Sequence, residues 1–223
     1  MALVNEHDIP AALSDDASVT RQNAGAVDVQ YFNSLYGAAD DPWSIKTRWY
    51  EARKRKLLDA VLPRERFHRA FEPGCGNGDF TALLLERCDA VVAMDLHPRA
   101  VAQARARFPG CGRIAITQGT LPDDWPPGKF DLIVVSELGY YFDVGNWARF
   151  VERLEGALAD DAVVVACHWR DAFDARQLET KAVHDAFTNV NGLTHQVAHR
   201  ERDFLLDVWT RDLHSVAQRE GLA

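Results

Sequence analysis

Phe67-His68-Arg69-Ala70-Phe71-Glu72-Pro73-Gly74-Cys75-Gly76-Asn77-Gly78 is the stretch on which the reading of this chain turns. Phe67 to Phe71 reads as a short strand and Phe80 to Arg87 as a helix, so the three glycines fall in a strand-to-helix turn. Glycine there permits a tight turn and lets the backbone approach a ligand with no Cβ in between. Further on, Asp95 closes the next apolar strand, Ala90 to Met94. An acidic side chain at that place can accept hydrogen bonds from both hydroxyls of a ribose. Dinucleotide sites tend to show G-x-G-x-x-G, which sets a helix N-terminus against a pyrophosphate. Here the spacing is G-x-G-x-G with Glu72 just before it. A carboxylate there repels a diphosphate and suits a ligand carrying an amino group and a sulfonium. A ligand-free glycine turn and a nicotinamide or flavin site are the competing readings.

Outward from this turn, strand and helix alternate. Pro98 to Phe108 reads as a helix opened by a first-turn proline. Arg113 to Thr117 and the strongly apolar Phe130 to Val135 read as strands, Trp147 to Ala159 as a helix and Ala162 to His168 as another buried strand. Residues 174–187 look helical, and Thr194 to Arg200 with Asp203 to Arg211 alternate apolar and polar, as an antiparallel hairpin at a sheet edge would. The pattern predicts an α/β fold, a doubly wound, mostly parallel seven-stranded sheet of Rossmann-like type with right-handed crossovers. Before it, Tyr31, Phe32, Leu35 and Tyr36 fall at helical spacing, and residues 45–62 read as a second helix whose apolar stripe is Ile45, Trp49, Leu57, Leu58 and Val61. These make an N-terminal helical lid. The expected organisation is a flexible leader over 1–26 and one domain over 27–223, made of helices 27–63, a cofactor-binding core 64–170 and a C-terminal helix and hairpin 171–223.

Composition narrows the class. The 223 residues are 47% hydrophobic and 26% charged, ordinary for a globular domain, with a net charge of −8. That charge argues against nucleic acid as a partner. Cys75, Cys88, Cys111 and Cys167 form no C-x-x-C pair and lie near no histidine cluster at zinc spacing, so free thiols and no metal are expected. No apolar run approaches the roughly 20 residues that span a bilayer, and Met1 to Pro10 lacks the basic and apolar regions of a signal peptide. The expectation is a cytoplasmic protein with no membrane partner, a monomer or a homodimer.

The motif Glu72-Pro73-Gly74-Cys75-Gly76-Asn77-Gly78, with Asp95 at the next strand end, resembles the first motif and second acidic position of class I S-adenosylmethionine methyltransferases. Phe130-Asp131-Leu132-Ile133-Val134-Val135 followed by Ser136-Glu137 resembles their fourth motif. The resemblance runs from about residue 67 to 170. It implies that Gly74 and Gly76 line the methionine half of S-adenosylmethionine and that Asp95 holds its ribose. The cofactor set it implies adds Glu72, Cys75, Leu96, Thr120, Leu121 and Ser136, with Tyr31 and Trp43 from the lid. Many members carry an acidic residue where Thr120 stands, which leaves the adenine amino group to the Leu121 backbone or to Asp123. A narrower resemblance, to the nodulation protein S type, rests on Tyr31-Phe32, Leu35-Tyr36, Asp41-Pro42-Trp43, Trp49-Tyr50-Glu51, Ser136-Glu137 with Tyr140-Tyr141, and Cys167-His168-Trp169-Arg170. It implies methylation of a free amine on a small amino sugar or chitin-type oligosaccharide.

Transfer of a methyl to an amine needs a group that orients or deprotonates the nucleophile. Glu137 and His168 end adjacent strands on the ligand side and are the candidate catalytic pair; a loop carboxylate and a satisfied strand-end histidine are the plainer readings. Tyr36, Tyr140, Tyr141, Trp169 and Arg170 are the candidate acceptor contacts, the aromatics stacking on sugar rings or else capping the sheet. Tyr31, Tyr36 and Trp43 either close over a sulfonium or pack a core. Arg53-Lys54-Arg55-Lys56 reads as a solvated helix face. A methyltransferase of another small molecule, with an oxygen or nitrogen acceptor, a nicotinamide-dependent oxidoreductase and a non-catalytic nucleoside-binding module are the rival functions.

Overall fold

The computed structural model describes residues 29–222, so the expected leader lies outside the described residues. The core alternates β1 (Phe67–Pro73), α3 (Asp79–Arg87), β2 (Cys88–Asp95), α4 (Pro98–Arg107), β3 (Ile114–Gln118), β4 (Phe130–Ser136), α5 (Val144–Ala157) and β5 (Leu158–Trp169). Two helices precede it, α1 (Val29–Ala38) and α2 (Trp49–Ala60). After it come α6 (Thr180–Thr188), β6 (Thr194–Arg200), β7 (Phe204–Thr210) and the short α7 (Val216–Arg219). The strands form one seven-stranded sheet in the order β3-β2-β1-β4-β5-β7-β6. The first five are parallel, while β7 runs antiparallel to β5 and to β6. This is the expected Rossmann-like sheet with its edge hairpin. Strand order reverses between β1 and β4, so the ends of these two strands, Pro73 and Ser136, open the crevice where such sheets bind ligands.

Alternation along the central strands builds both cores. Ile133 and Val135 face α5 and α6 with Phe150, Leu154 and Phe187; Leu132 and Val134 face Leu58 of α2 and Leu84 of α3. All of these are essentially inaccessible to water. Truncating one large residue here, Phe150 for example, would cost about 3–5 kcal/mol. Helix starts follow local chemistry. The Asp143 side chain caps α5 by accepting from Asn146 N at 2.8 Å. Pro98 occupies the first turn of α4, where the His97 ring caps the helix by accepting from Arg99 N at 3.2 Å.

Some boundaries differ from expectation. The second helix begins at Trp49, because the Asp41 carboxylate accepts from Ile45 N and Lys46 N and winds residues 41–48 into turns. Trp49 is 69% exposed and lies off the apolar stripe. The sixth helix begins only at Thr180, because the Arg176 guanidinium reaches the carbonyls of Arg170, Asp171 and Leu178 and holds residues 170–179 as irregular chain.

Candidate functional site

The backbone builds the β1 side of the crevice. Gly74 N and Cys75 N both donate to Met94 O, at 2.8 and 2.9 Å, which ties the glycine turn to β2. Gly74, Gly76 and Gly78 all have positive φ, from 53 to 79°. A Cβ added at Gly76 would meet nothing within 4 Å, so open space faces the middle of the turn. Asp95 stands beside it. Its two carboxylate oxygens accept separately from Gly76 N and His97 N, each at 2.8 Å. Burial raises the Asp95 pKa, and these amides oppose that rise. A carboxylate so held, next to open space and a bare backbone, can accept hydrogen bonds from a pair of vicinal hydroxyls.

The other expected contacts on this side fall into place unequally. Leu96 is half-buried after Asp95, Cys75 is buried in the turn and Ser136 is half-buried at the tip of β4. The Thr120 amide donates to Asp124, Leu121 is buried, and Asp123 turns outward to pair with Arg149, which leaves the Leu121 backbone as the remaining adenine candidate. Glu72 differs from its expected part. It is buried and accepts from the Thr81 hydroxyl of α3, and burial pushes its pKa up to about 8. It therefore enters neutral water as an acid rather than as the ready negative charge its place in the motif implied.

α1 closes over this side through aromatic rings. Tyr36 stacks on the His97 ring at 4.4 Å, Trp43 packs edge-on against Tyr36, and Phe32 and Tyr31 pack on Tyr141. The other ring nitrogen of His97 donates to Asn33 Oδ1 at 3.1 Å. Tyr36, expected at the acceptor, thus sits on the Asp95 side. Sequence reading passed over His97; its place directly before Pro98, as helix cap two residues past the acidic strand end, was the available signal.

Side chains build the β4–β5 side. Glu137 follows β4 with φ of 53°, a left-handed conformation rare for any residue but glycine. Its amide donates to Cys167 O at 2.9 Å. Its carboxylate accepts from Lys54 Nζ at 2.6 Å, from Trp169 N at 2.9 Å and from the Tyr140 hydroxyl. Lys54 is the surprise. It was expected on a solvated helix face, yet it is buried, with Glu51 Oε1 at 3.1 Å on its far side and the Tyr50 ring at 5.1 Å. Burial alone would depress the Lys54 ammonium, but the Glu137 and Glu51 charges outweigh it and hold its pKa above the ordinary lysine value. The cluster is two carboxylates and an aromatic face gripping one ammonium.

Four expected roles are corrected here. His168 cannot serve as a base: it is fully buried, Gly139 N donates to its Nε2 at 3.0 Å, and its Nδ1 faces His184 Nε2 at 3.0 Å. Tyr140 and Tyr141 are buried among Phe173, Tyr31 and Phe32 rather than offered to a sugar. The Arg170 guanidinium is spent on the carbonyls of Glu201 and Arg202. Trp169 stays half-buried, edge-on to Tyr50 beside the Lys54 cluster. Among the described residues no group of three His, Cys, Asp or Glu side chains could hold a metal, and no helix is long and apolar enough to cross a membrane.

Comparison with known proteins agrees with this fold. The family model described as Nodulation protein S (NodS) matches residues 32–184. Nodulation protein S of Bradyrhizobium diazoefficiens is 29% identical over 136 residues, 60% of this chain and 65% of that protein. The curated nodulation relatives are thus matched over less than two thirds of their own length. A crystal structure of N-methyltransferase NodS from Bradyrhizobium japonicum WM9, in complex with S-adenosyl-L-homocysteine, superposes with a TM-score of 0.71 at 25% identity, covering 80% of this chain and 97% of that one. A candidate methyltransferase from Pseudomonas syringae superposes with a TM-score of 0.66 at 44% identity, covering 74% of this chain and 100% of that one.

Proposed function

The chain belongs to the nodulation protein S family, and from that premise we propose that it is an S-adenosylmethionine-dependent methyltransferase acting on the amine of a small amino sugar or chitin-type oligosaccharide. The observation that carries the cofactor assignment is Asp95, whose oxygens are pre-aimed by Gly76 N and His97 N beside open space. When bound, S-adenosylmethionine supplies a methyl on a sulfonium, open to in-line displacement by a nucleophile. Asp95 would hold the ribose, Gly74 and Gly76 would lie along the methionine half, and Glu72 would give up its proton only when a cationic amino group approaches. Tyr31, Tyr36 and Trp43 would close the lid and exclude water.

The acceptor amine must present a lone pair in line with the methyl. Positioning is the chief contribution the protein makes; oriented reactions can gain about 7–11 kcal/mol in this way. Glu137 is the orienting group. Its carboxylate stands at the tip of β4, and the net negative charge of the Glu51, Glu137 and Lys54 cluster favours the positive charge that develops as a neutral amine takes the methyl and becomes a methylammonium, whose proton then passes to water. Glu137 already accepts from Lys54, Tyr140 and Trp169, and the part we assign it is to aim the amine rather than to deprotonate it. With labelled S-adenosylmethionine, glucosamine oligomers should take up methyl on nitrogen. Uptake by hydroxyl acceptors with none by amines would sink the amine reading. Calorimetric binding of NAD in place of S-adenosylhomocysteine would sink the methyltransferase reading as a whole.

A further inference from the structure

A buried chain of rings runs from the back of the acceptor loop to the sheet edge. Gly139 N–H, a donor whatever the protonation state, points at His168 Nε2 at 3.0 Å. That nitrogen must therefore carry a lone pair, and the proton of the neutral ring must sit on Nδ1. His168 Nδ1–H then donates to His184 Nε2 at 3.0 Å, and His184 Nδ1–H donates to Asp207 Oδ2 at 2.6 Å. The second Asp207 oxygen accepts from His195 Nε2 at 2.8 Å. Burial would raise the Asp207 pKa, but its bonds from His184 and His195 outweigh that and keep it charged. Burial, then His184, Lys54 and Arg176, push the His168 pKa far down, so its lone pair stays free for Gly139. Each tautomer is dictated by its neighbour, with a fixed donor at one end and a carboxylate acceptor at the other.

The loop that this chain holds carries Glu137 in its left-handed conformation two residues before Gly139. It cannot settle by packing alone on a side chain at 139, because a Cβ there would lie 2.4 Å from Val183 Cγ1 and 3.2 Å from His168 Nε2. We propose that His168 is a positioning residue, which anchors Gly139 N–H and thereby aims Glu137 at the acceptor, with His184 and Asp207 fixing the ring in the tautomer that accepts. This inference rests on Glu137 facing the acceptor, as argued above.

Two substitutions separate anchoring from mere packing. His168→Gln can place an amide oxygen where Nε2 sits and keep the Gly139 bond. His168→Asn can face His184 but stops short of Gly139. In the full-length chain, amide hydrogen exchange should find Gly139 protected in the parent and in the Gln variant and unprotected in the Asn variant. Methyl transfer to a glucosamine oligomer should fall by roughly 100-fold in the Asn variant, the order expected when a reacting group shifts by about 1 Å. The Gln variant should recover most of that loss. Affinity for S-adenosylhomocysteine should be the same in both. Equal Gly139 exchange in the two variants, or equal turnover despite different exchange, would overturn the proposal. Should the parent methylate no amine at all, the functional reading fails separately, and the exchange comparison alone decides the anchor.

Discussion

The two walls of the crevice are made by different means. On the β1 side the groups we assign to the cofactor are backbone amides of a glycine turn and one carboxylate, and their partners lie within about a strand and a helix of sequence: Gly76 to Asp95, Asp95 to His97. On the β4–β5 side the groups are side chains brought from far along the chain. Lys54 reaches Glu137 across 83 residues, Gly139 reaches His168 across 29 and His184 reaches Asp207 across 23. The first wall is a local consequence of turn chemistry; the second exists only once the sheet has closed. A scaffold so divided can keep one wall constant while the other changes its acceptor.

Substitutions can test that division. The largest effect is expected from Asp95→Ala, which removes the carboxylate we propose as acceptor of both ribose hydroxyls; at about 1.5–3 kcal/mol for each such bond, affinity for S-adenosylhomocysteine should fall at least about 100-fold by calorimetry. Glu137→Gln should leave that affinity nearly intact and lower turnover instead. Matching losses of affinity and turnover in both variants would erase the distinction between the walls. Next comes Lys54→Met. Stripping one partner from a buried pair should lower unfolding free energy by about 3 kcal/mol in urea titration, the lower end of the range since Glu137 retains some solvent. Adding Glu137→Gln should restore part of it; if it restores none, charge does not hold the second wall together.

A smaller effect depends on pH. Glu72 titrates near about 8 in the folded chain against an ordinary 4.5. Between those values the folded chain keeps a proton that the unfolded chain has lost. The stabilisation is full below about 4.5 and drains away as pH climbs through about 8. Glu72→Gln keeps an oxygen for Thr81 and removes this loss. Without ligand, the variant should match the parent near pH 5 and exceed it by about 2 kcal/mol near pH 8, a share of the roughly 1.4 kcal/mol carried by each pKa unit. A difference that does not vary with pH would mean that Glu72 is ionised in the fold. The smallest effect belongs to Trp49→Ala, since that ring is 69% exposed: thermal unfolding should move by no more than about 0.5 kcal/mol. A larger loss would mean that the ring packs a core after all.

How much could be read from sequence follows the same divide. The seven strands, their hairpin edge and the Gly74–Asp95 pair were legible, because alternation and glycine spacing are local signals. The acceptor wall was read as residues but not as roles. Glu137 was singled out from its strand-tip place, while Lys54 looked solvated because Arg53, Arg55 and Lys56 around it are cationic and helix periodicity alone does not say which one turns inward. His168 looked like a base because nothing in the sequence brings Gly139, His184 and Asp207 beside it. Arg170 looked free because its partners, Glu201 and Arg202, lie beyond the irregular segment at the far end of the hairpin.

The left-handed backbone at Glu137 has a practical consequence. Glycine would occupy that conformation without strain, a relief of about 1 kcal/mol, but it would leave the buried Lys54 ammonium without this partner, at a cost of about 3 kcal/mol. The ion pair therefore holds the carboxylate in place against the preference of its own backbone. A laboratory selection for heat resistance should retain Glu137 even where turnover is never scored.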